Sequence, residues 1–344
     1  KDAAILRRIG DLQGQADILD NVVGVEYERG HLQKALAHQR AALEARRAAG
    51  DAAGRAKTWN HLGLTLRALG DRKAAIEALE HSLDLRRELG DTRGEARTLD
   101  HLGLTYLDLG DAARAADIFS RAAEISRQMG DHRGEANSLT NLGLAHLAGG
   151  DVSRSIADHE GALAVRQRLG DEAGQAESHR NLAAAQQARG NLAEARLHYG
   201  AALAIMKTRD DRRGEGLLLR SLGAISRASG GWKEAFEALR RSRDILRSVG
   251  DAAGEAGALE DLGNAWLAAG DTEEARLAFE ASILLFKEAR DRSGEASVLD
   301  RLAVLKMRLG QFAEAGRDLE ESRRLARLAD DRRALGAATN DLAN

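Results

Sequence analysis

The sequence predicts an all-α solenoid of eight tandem helix–turn–helix units of 40 residues, with partial helices at both ends. In the 344-residue chain, Asp recurs nine times at a spacing of 40, at positions 11, 51, 91, 131, 171, 211, 251, 291 and 331. Apolar residues within each interval follow helical spacing. The 36 Gly, with no Pro and no Cys, are typical of regular helices broken by glycine turns. A period of this length indicates a solenoid rather than two or three globular domains.

The unit 91–130 illustrates the repeat. Its two apolar stripes are Leu99, Leu102, Tyr106 and Leu109, followed by Ala115, Ile118, Phe119, Ala122 and Ile125. Gly110 and Asp111 lie between the stripes, where glycine can end one helix and aspartate can cap the next. Each unit is therefore predicted to hold two antiparallel helices of about 17 residues. The predicted units are 11–50, 51–90, 91–130, 131–170, 171–210, 211–250, 251–290 and 291–330, with 1–10 ending a preceding helix and 331–344 starting a ninth unit.

A second glycine position lies inside the first turn of each first helix. It is occupied in every unit, by Gly14, Gly54, Gly94, Gly134, Gly174, Gly214, Gly254 and Gly294. Because glycine there lowers helix propensity, we expect a close approach of the preceding helix to require it. Asp210, Arg290 and Asp330 replace the glycine between units. We expect those three junctions to be looser or differently capped.

The columns of the repeat resemble a known family. The matching residues of the third unit are Leu102, Gly103, Tyr106, Gly110, Ala115, Phe119 and Ala122. In type and spacing they resemble the tetratricopeptide repeat (TPR), which is usually about 34 residues long. The 40-residue form is similar to the TPR regions of bacterial STAND/AfsR-like regulators and of LGN/Pins-type adaptors. This resemblance implies a right-handed superhelix whose concave face is lined by the first helices and binds protein or peptide segments.

Motifs for catalysis, metal binding and cofactor binding are not evident in the sequence. There is no G-x-x-x-x-G-K-[ST] or G-x-G-x-x-G, and His159-Glu160 lacks the second His of H-E-x-x-H. Ser178-His179 are adjacent on a helix and do not face each other. We therefore expect no enzyme activity, metal site or cofactor. No apolar run is long enough to span a membrane, so we expect a cytoplasmic protein that has no membrane partner.

A cationic column in the last turn of the second helices has two interpretations. It comprises Arg47, Arg87, Arg127, Lys207, Arg247, Lys287 and Arg327. A cation there complements the helix dipole, and a row of cations can also track nucleic acid. The acidic residues one turn away, such as Glu44 and Glu124, and the net charge of −3 favour the dipole interpretation. We therefore expect no nucleic-acid partner.

Carrying the groove positions of the family onto this chain gives a candidate binding surface. It comprises His61, Leu64, Asp100, His101, Leu104, Leu107, Asn141, Leu144, Leu147, Arg180, Asn181, Arg220 and Arg227. The leucines form an apolar strip that the core between helices does not obviously use. His61, His101, Asn141 and Asn181 form a ladder suited to an extended peptide backbone. The arginines that follow would face an acidic portion of the partner; the alternative is a solvated face whose leucines only thicken the packing.

Three functions remain open at this point. The first is a non-enzymatic scaffold or sensor domain of a larger bacterial signalling protein, which binds a partner segment in the groove. The second is an autoinhibitory or self-assembly scaffold that holds part of its own full-length chain. The third is an accessory domain of a STAND NTPase or a CHAT-type protease. Because neither end shows an atypical capping helix, the fragment is also expected to associate end to end.

Overall fold

The computed structural model describes residues 11–328, and this part of the chain forms sixteen α-helices. They are α1 Leu12–Glu28, α2 Leu32–Ala48, α3 Ala52–Ala68, α4 Arg72–Glu88, α5 Thr92–Asp108, α6 Ala112–Gln128, α7 His132–Ala148, α8 Val152–Leu169, α9 Glu172–Ala188, α10 Leu192–Thr208, α11 Arg212–Ala228, α12 Trp232–Ser248, α13 Ala252–Ala269, α14 Thr272–Glu288, α15 Arg292–Arg308 and α16 Phe312–Leu328. Odd-numbered helices are called first helices below, and even-numbered ones second helices. The prediction of helices of about 17 residues is confirmed.

The turns are built as the Gly-Asp pattern predicts. Gly110 has φ +82°, in the left-handed region that residues with a Cβ avoid. The carboxylate of the following Asp111 accepts the backbone N–H of Arg114, 3.1 Å away, and so caps α6. Asp91 caps α5 in the same way through Gly94, at 2.9 Å. The pair therefore ends one helix and starts the next within two residues.

The expectation that the junctions at Asp210 and Arg290 are differently capped is wrong. Both take the same left-handed conformation as the glycines they replace, with φ +54° and +57°. The backbone N–H of the next residue, Asp211 or Asp291, still bonds back to the preceding helix, at 2.9 Å in each case. The geometry of the turn is thus kept at the cost of strain, of order 1–2 kcal/mol for a residue with a Cβ. Asp330 and the segments 1–10 and 331–344 lie outside the described residues.

The chain divides into two compact units, residues 1–189 and 190–344. In each unit, consecutive helices pack as antiparallel pairs, and consecutive first helices also touch each other. These pairs are α3–α5, α5–α7 and α7–α9 in the first unit, and α11–α13 and α13–α15 in the second. Leu79, Leu99 and Leu102 belong to the core of the first unit, and Phe279 and Leu302 to that of the second. Within residues 11–328, no helix is long and apolar enough to cross a membrane.

The glycines in the first turns of the first helices allow the predicted close approach. A Cβ on Gly54 would lie 2.6 Å from Nε of Arg46, and one on Gly174 would lie 2.6 Å from Cδ of Arg166. Both arginines belong to the preceding second helix. In the second unit, Phe286 occupies the equivalent position against Gly294. The glycine column therefore admits large side chains from one repeat into the start of the next.

In several repeats a buried serine of the second helix forms a hydrogen bond to the backbone of the first helix. The hydroxyl of Ser82 donates to the backbone carbonyl of Ala56 at 2.7 Å, and that of Ser282 donates to Ala256 at 2.8 Å. Ser242 and Ser322 repeat the contact at the same sequence separation. These serines are fully buried, so the hydrogen bonds satisfy groups that have no access to water.

Candidate functional site

The predicted surface residues of the first unit lie on its first helices. We call the surface formed by α1, α3, α5, α7 and α9 the first-helix face. His61 and Leu64 lie on α3, and Asn141, Leu144 and Leu147 on α7. Most of these side chains are half-buried; Leu144 is 36% exposed, and Arg180 on α9 is exposed. Arg220 and Arg227 lie on α11 of the second unit.

The leucine strip is more enclosed than the sequence suggested. Leu104 and Leu107 on α5 pack against the core cluster that contains Phe119 and Leu142. The reason is the contact between α5 and α7, which places these side chains in the seam between repeats. The expectation that the core does not use the strip is therefore wrong for these two residues.

Two members of the ladder, His101 and Asn141, are hydrogen bonded within the protein. Nδ1 of His101 donates to Oδ1 of Asn60 at 2.9 Å, and Asn141 hydrogen bonds to Asp100. Asp100 also accepts from the hydroxyl of Ser138, at 2.8 and 3.0 Å. These bonds reduce the capacity of His101 and Asn141 to bind a peptide backbone. His101 and Asn141 therefore connect consecutive first helices.

The same connection recurs in the second unit, always between residues 41 positions apart. Nε of Arg220 donates to Asp261 at 2.5 Å, and Nε of Arg301 donates to Glu260 at 2.7 Å. Arg220 was expected to face an acidic partner; in the structure its guanidinium is paired with Asp261. Sequence reasoning missed this recurring bond, although complementary residues at a separation of 41 were the signal for it.

Burial sets the protonation behaviour of two members of this network. Burial raises the pKa of Asp100 to about 6, and the hydrogen bonds from Ser138 and Asn141 oppose that shift. Burial lowers the pKa of His101 to about 4, and the positive charges of Arg97 and Arg86 lower it further. His101 is therefore neutral at pH 7.

A cavity of about 290 Å³ opens between α3 and α5, next to the ladder. It is lined by Ala53, Lys57, Asn60, His61, Leu64, Arg86, Asp91, Arg97 and His101. Three of these side chains are cations, and one is a carboxylate. Burial lowers the pKa of His61, Asp20 opposes that shift, and the nearby Lys57 and Arg86 add to it. Two predicted surface residues besides His101, namely His61 and Leu64, thus line a positively charged cavity.

Two further cavities of the first unit lie between consecutive second helices. One of about 700 Å³ lies between α2 and α4, with Trp59 and Leu62 of α3 at its floor. Its counterpart of about 380 Å³ lies between α4 and α6, where Arg114 and Ile118 take the places of Ala74 and Ala78.

Some arginines of the cationic column on the second helices pair with glutamates. Nε of Arg127 donates to Glu135 at 2.8 Å, and Nε of Arg247 donates to Glu255 at 2.7 Å. Both glutamate side chains are less than a tenth exposed. Arg127 and Arg247 therefore link their second helix to the first helix that follows. Within residues 11–328, no group of three or more His, Asp or Glu side chains is arranged to hold a metal.

The fold defines the class of protein as an all-α solenoid of tandem helix pairs. The tetratricopeptide repeat family matches residues 14–88, 54–128, 94–156 and 134–208, which together span more than half of the sequence. The chain belongs to this family. Residues 224–344 also match the family of anaphase-promoting complex subunit 5. No curated protein sequence matches the chain.

Several solved structures share the fold. The STAND protein with a tetratricopeptide repeat sensor from Pyrococcus horikoshii has a TM-score of 0.65 at 12% identity, over 94% of this chain and 50% of its own. The apo form of RapI has a TM-score of 0.63 at 14% identity, over 80% of this chain and 99% of its own. A Rap protein complexed with competence and sporulation factor has a TM-score of 0.55 at 14% identity, over 96% and 97%. At these identities the likeness concerns the fold alone.

Proposed function

We propose that this chain binds a segment of a partner protein on the first-helix face of its first unit. The observation that carries the proposal is the incomplete cover of apolar side chains on successive first helices. Leu144 is 36% exposed, Leu147 is half-buried, and Leu64 lines the cavity between α3 and α5. Apolar side chains of a partner would gain free energy by covering them, at about 25 cal/mol per Å² of apolar surface removed from water.

Polar groups at the far end of the same face would bind the backbone or the charges of the segment. Asn181 and Arg180 on α9 make no side-chain hydrogen bond or ion pair among the described residues. Asn181 offers both a donor and an acceptor, and Arg180 offers a guanidinium for an acidic side chain. In this arrangement His101, Asn141 and Arg220 keep the helices in register rather than contact the partner.

The chain would serve as the binding or sensor part of a larger bacterial signalling or regulatory protein. The shared fold with a STAND protein that carries a tetratricopeptide repeat sensor and with a Rap protein complexed with competence and sporulation factor supports this role. Each repeat contacts only its neighbours, so a ligand that bridges first helices would change their spacing and favour one conformation. Such a change is how a non-catalytic array transmits occupancy to an attached domain.

A segment of the same full-length protein is the second candidate for the occupant. In that case the array would be an autoinhibitory scaffold, or an accessory domain of a STAND NTPase or CHAT-type protease. The half-covered leucines on the first-helix face favour a segment in either case. What differs is whether the segment is carried by the same polypeptide.

The test is a selection of peptides from a displayed random library on the 344-residue chain. Affinity of the selected peptides would be measured by fluorescence anisotropy for Leu144→Lys and for Leu284→Lys, a control at a leucine of α14 that is 68% exposed. We expect Leu144→Lys to weaken binding at least about tenfold and the control to leave it unchanged. Equal affinities for both variants and the parent would refute the placement.

A further inference from the structure

Three second helices of the first unit carry a buried arginine at equivalent positions, 40 or 80 residues apart. Arg46, Arg86 and Arg166 are 3%, 7% and 3% exposed. Buried guanidinium groups require hydrogen-bond acceptors and opposite charge, because burying an unpaired cation is unfavourable. The three sites can therefore be compared by what each supplies as the anion.

Acidic side chains of first helices complete two of the three sites. Nη2 of Arg46 donates to Asp20 at 2.7 Å and to Asp17 at 3.3 Å. Nη2 of Arg166 donates to Glu177 at 2.8 Å and to Oδ1 of Asn137 at 3.3 Å. In both sites the same guanidinium nitrogen binds a carboxylate from the first-helix face.

The site of Arg86 lacks that carboxylate. Lys57 stands where the Arg46 site has Asp17, Asn60 where it has Asp20, and Arg97 where the Arg166 site has Glu177. The hydrogen bonds of Arg86 use Nε, to Ser82, and Nη1, to Asp91; among the described residues none is found for Nη2.

Cations thus take the places of acids around this cavity. Lys57 and Arg97 make no ion pair or side-chain hydrogen bond within residues 11–328. The lining holds three cations and the carboxylate of Asp91, a net charge of +2 with both histidines neutral. By contrast, Arg46 faces three carboxylates, because Asp51 lies 3.5 Å from its Nε. Relative to the Arg46 site, the Arg86 site therefore has two carboxylates fewer.

We propose that the cavity between α3 and α5 binds a phosphomonoester, whose oxygens accept from Arg86, Arg97 and Lys57. A phosphomonoester carries about −1.5 to −2 charges at pH 7 and three acceptor oxygens, which matches the net charge of +2 and the three cationic side chains. A single carboxylate carries one charge and would leave one cation unmatched. The phosphoryl group takes the place that the carboxylates of Asp17, Asp20 and Glu177 hold at the two equivalent sites.

The location of the cavity connects this inference to the proposed function. His61 and Leu64 belong both to the cavity and to the predicted binding surface, so a phosphorylated side chain next to an apolar one fits a bound segment. That source of the phosphoryl group rests on the proposed function. The phosphate site itself rests only on the lining of the cavity, and a free phosphate ester would bind to the same groups.

The experiment is a titration of the full chain followed through the imidazole NMR signals of His61 and His101. The probes are inorganic phosphate, phenyl phosphate and acetate at constant ionic strength. We expect both phosphates to shift the two signals saturably, with acetate at least about tenfold weaker. Arg97→Gln and Lys57→Gln should each weaken phosphate binding at least about tenfold, because each removes a charged hydrogen-bond donor. Both side chains are exposed, so their loss leaves the fold intact.

Arg93→Gln is the matched control, since Arg93 is an exposed arginine of α5 that does not line the cavity. It should leave phosphate binding unchanged. Equal effects of all three substitutions, or equal affinity for acetate and phosphate, would overturn the proposal.

A pentapeptide with phosphoserine followed by leucine, compared with phenyl phosphate, distinguishes the two sources of the phosphoryl group, a bound segment and a free ester. Tighter binding of the phosphopeptide supports a segment-borne phosphate. Equal affinity for the phosphopeptide and phenyl phosphate supports a free ester. The peptide selection described above tests the proposed function independently of this outcome.

Discussion

His159 offers a sharp test of how the repeat core is built. It occupies the position that Phe119 and Phe279 hold in other repeats, and its ring packs on Gly143 as theirs do on Gly103 and Gly263. It is fully buried, and neither ring nitrogen has a hydrogen-bond partner among the described residues. Burial, and then the charge of Arg166, lowers its pKa to about 4. A buried imidazole here is thus tolerated rather than required.

The effect of His159→Phe on the free energy of unfolding has two contributions. At pH 7, removing unpaired buried polar groups should raise the free energy of unfolding by about 1–3 kcal/mol. Below pH 6.5, the unfolded chain takes up a proton that the folded chain does not, so stability falls as pH falls toward 4. At about 1.4 kcal/mol per pKa unit, the histidine removes about 2 kcal/mol by pH 5. The His159→Phe variant lacks this loss of stability at low pH. His101, whose pKa is also lowered to about 4, still destabilises both the parent and the variant at low pH.

The assay is urea denaturation at pH 7 and pH 5, followed by circular dichroism. We expect the loss of stability between the two pH values to shrink by about 2 kcal/mol in His159→Phe. Gln39→Leu is the control, because Gln39 is a buried residue of the same column that does not titrate. Its loss of stability with pH should equal that of the parent. Equal pH dependence in His159→Phe and the parent would refute the reasoning.

Three further substitutions test the turns and the packing. Arg290→Gly should raise the free energy of unfolding by about 0.5–1 kcal/mol in urea melts, since φ is +57° there; a decrease would contradict the strain argument. Gly103→Val should lower the melting temperature by an amount that corresponds to at least about 2 kcal/mol, because an added Cβ would lie 2.6 Å from the Phe119 ring. Ser282→Ala should cost about 1 kcal/mol in denaturant titrations through the lost bond to Ala256, and no change would show that the bond contributes nothing.

The fold was predictable because the same residue pattern recurs in all eight units of the sequence. The Gly-Asp pairs give both the end of one helix and the cap of the next, and the helix bounds follow from them. What the pattern did not reveal is that the turn conformation persists without glycine. Asp210 and Arg290 take it because the helices on both sides fix the turn, a tertiary effect that local propensity does not contain.

The candidate surface was predictable in position but not in chemistry. Periodicity located His101, Asn141 and Arg220 on first helices, yet whether they are available depends on their neighbours in the adjacent repeat. Those neighbours, such as Asn60 for His101 and Asp261 for Arg220, lie 41 residues away in the sequence. Only the contact between consecutive first helices brings them together. The charged cavity was missed for the same reason, since its cations come from α3, α4 and α5.

The central claim is that the first-helix face of the first unit receives a segment of a partner. The most direct measurement is photo-crosslinking of a selected peptide to the full chain with benzoylphenylalanine placed at position 144, and separately at position 284 on α14. We expect crosslinks from position 144 that the unlabelled peptide competes away, and none from position 284. Crosslinking from position 284 and not from position 144 would contradict it.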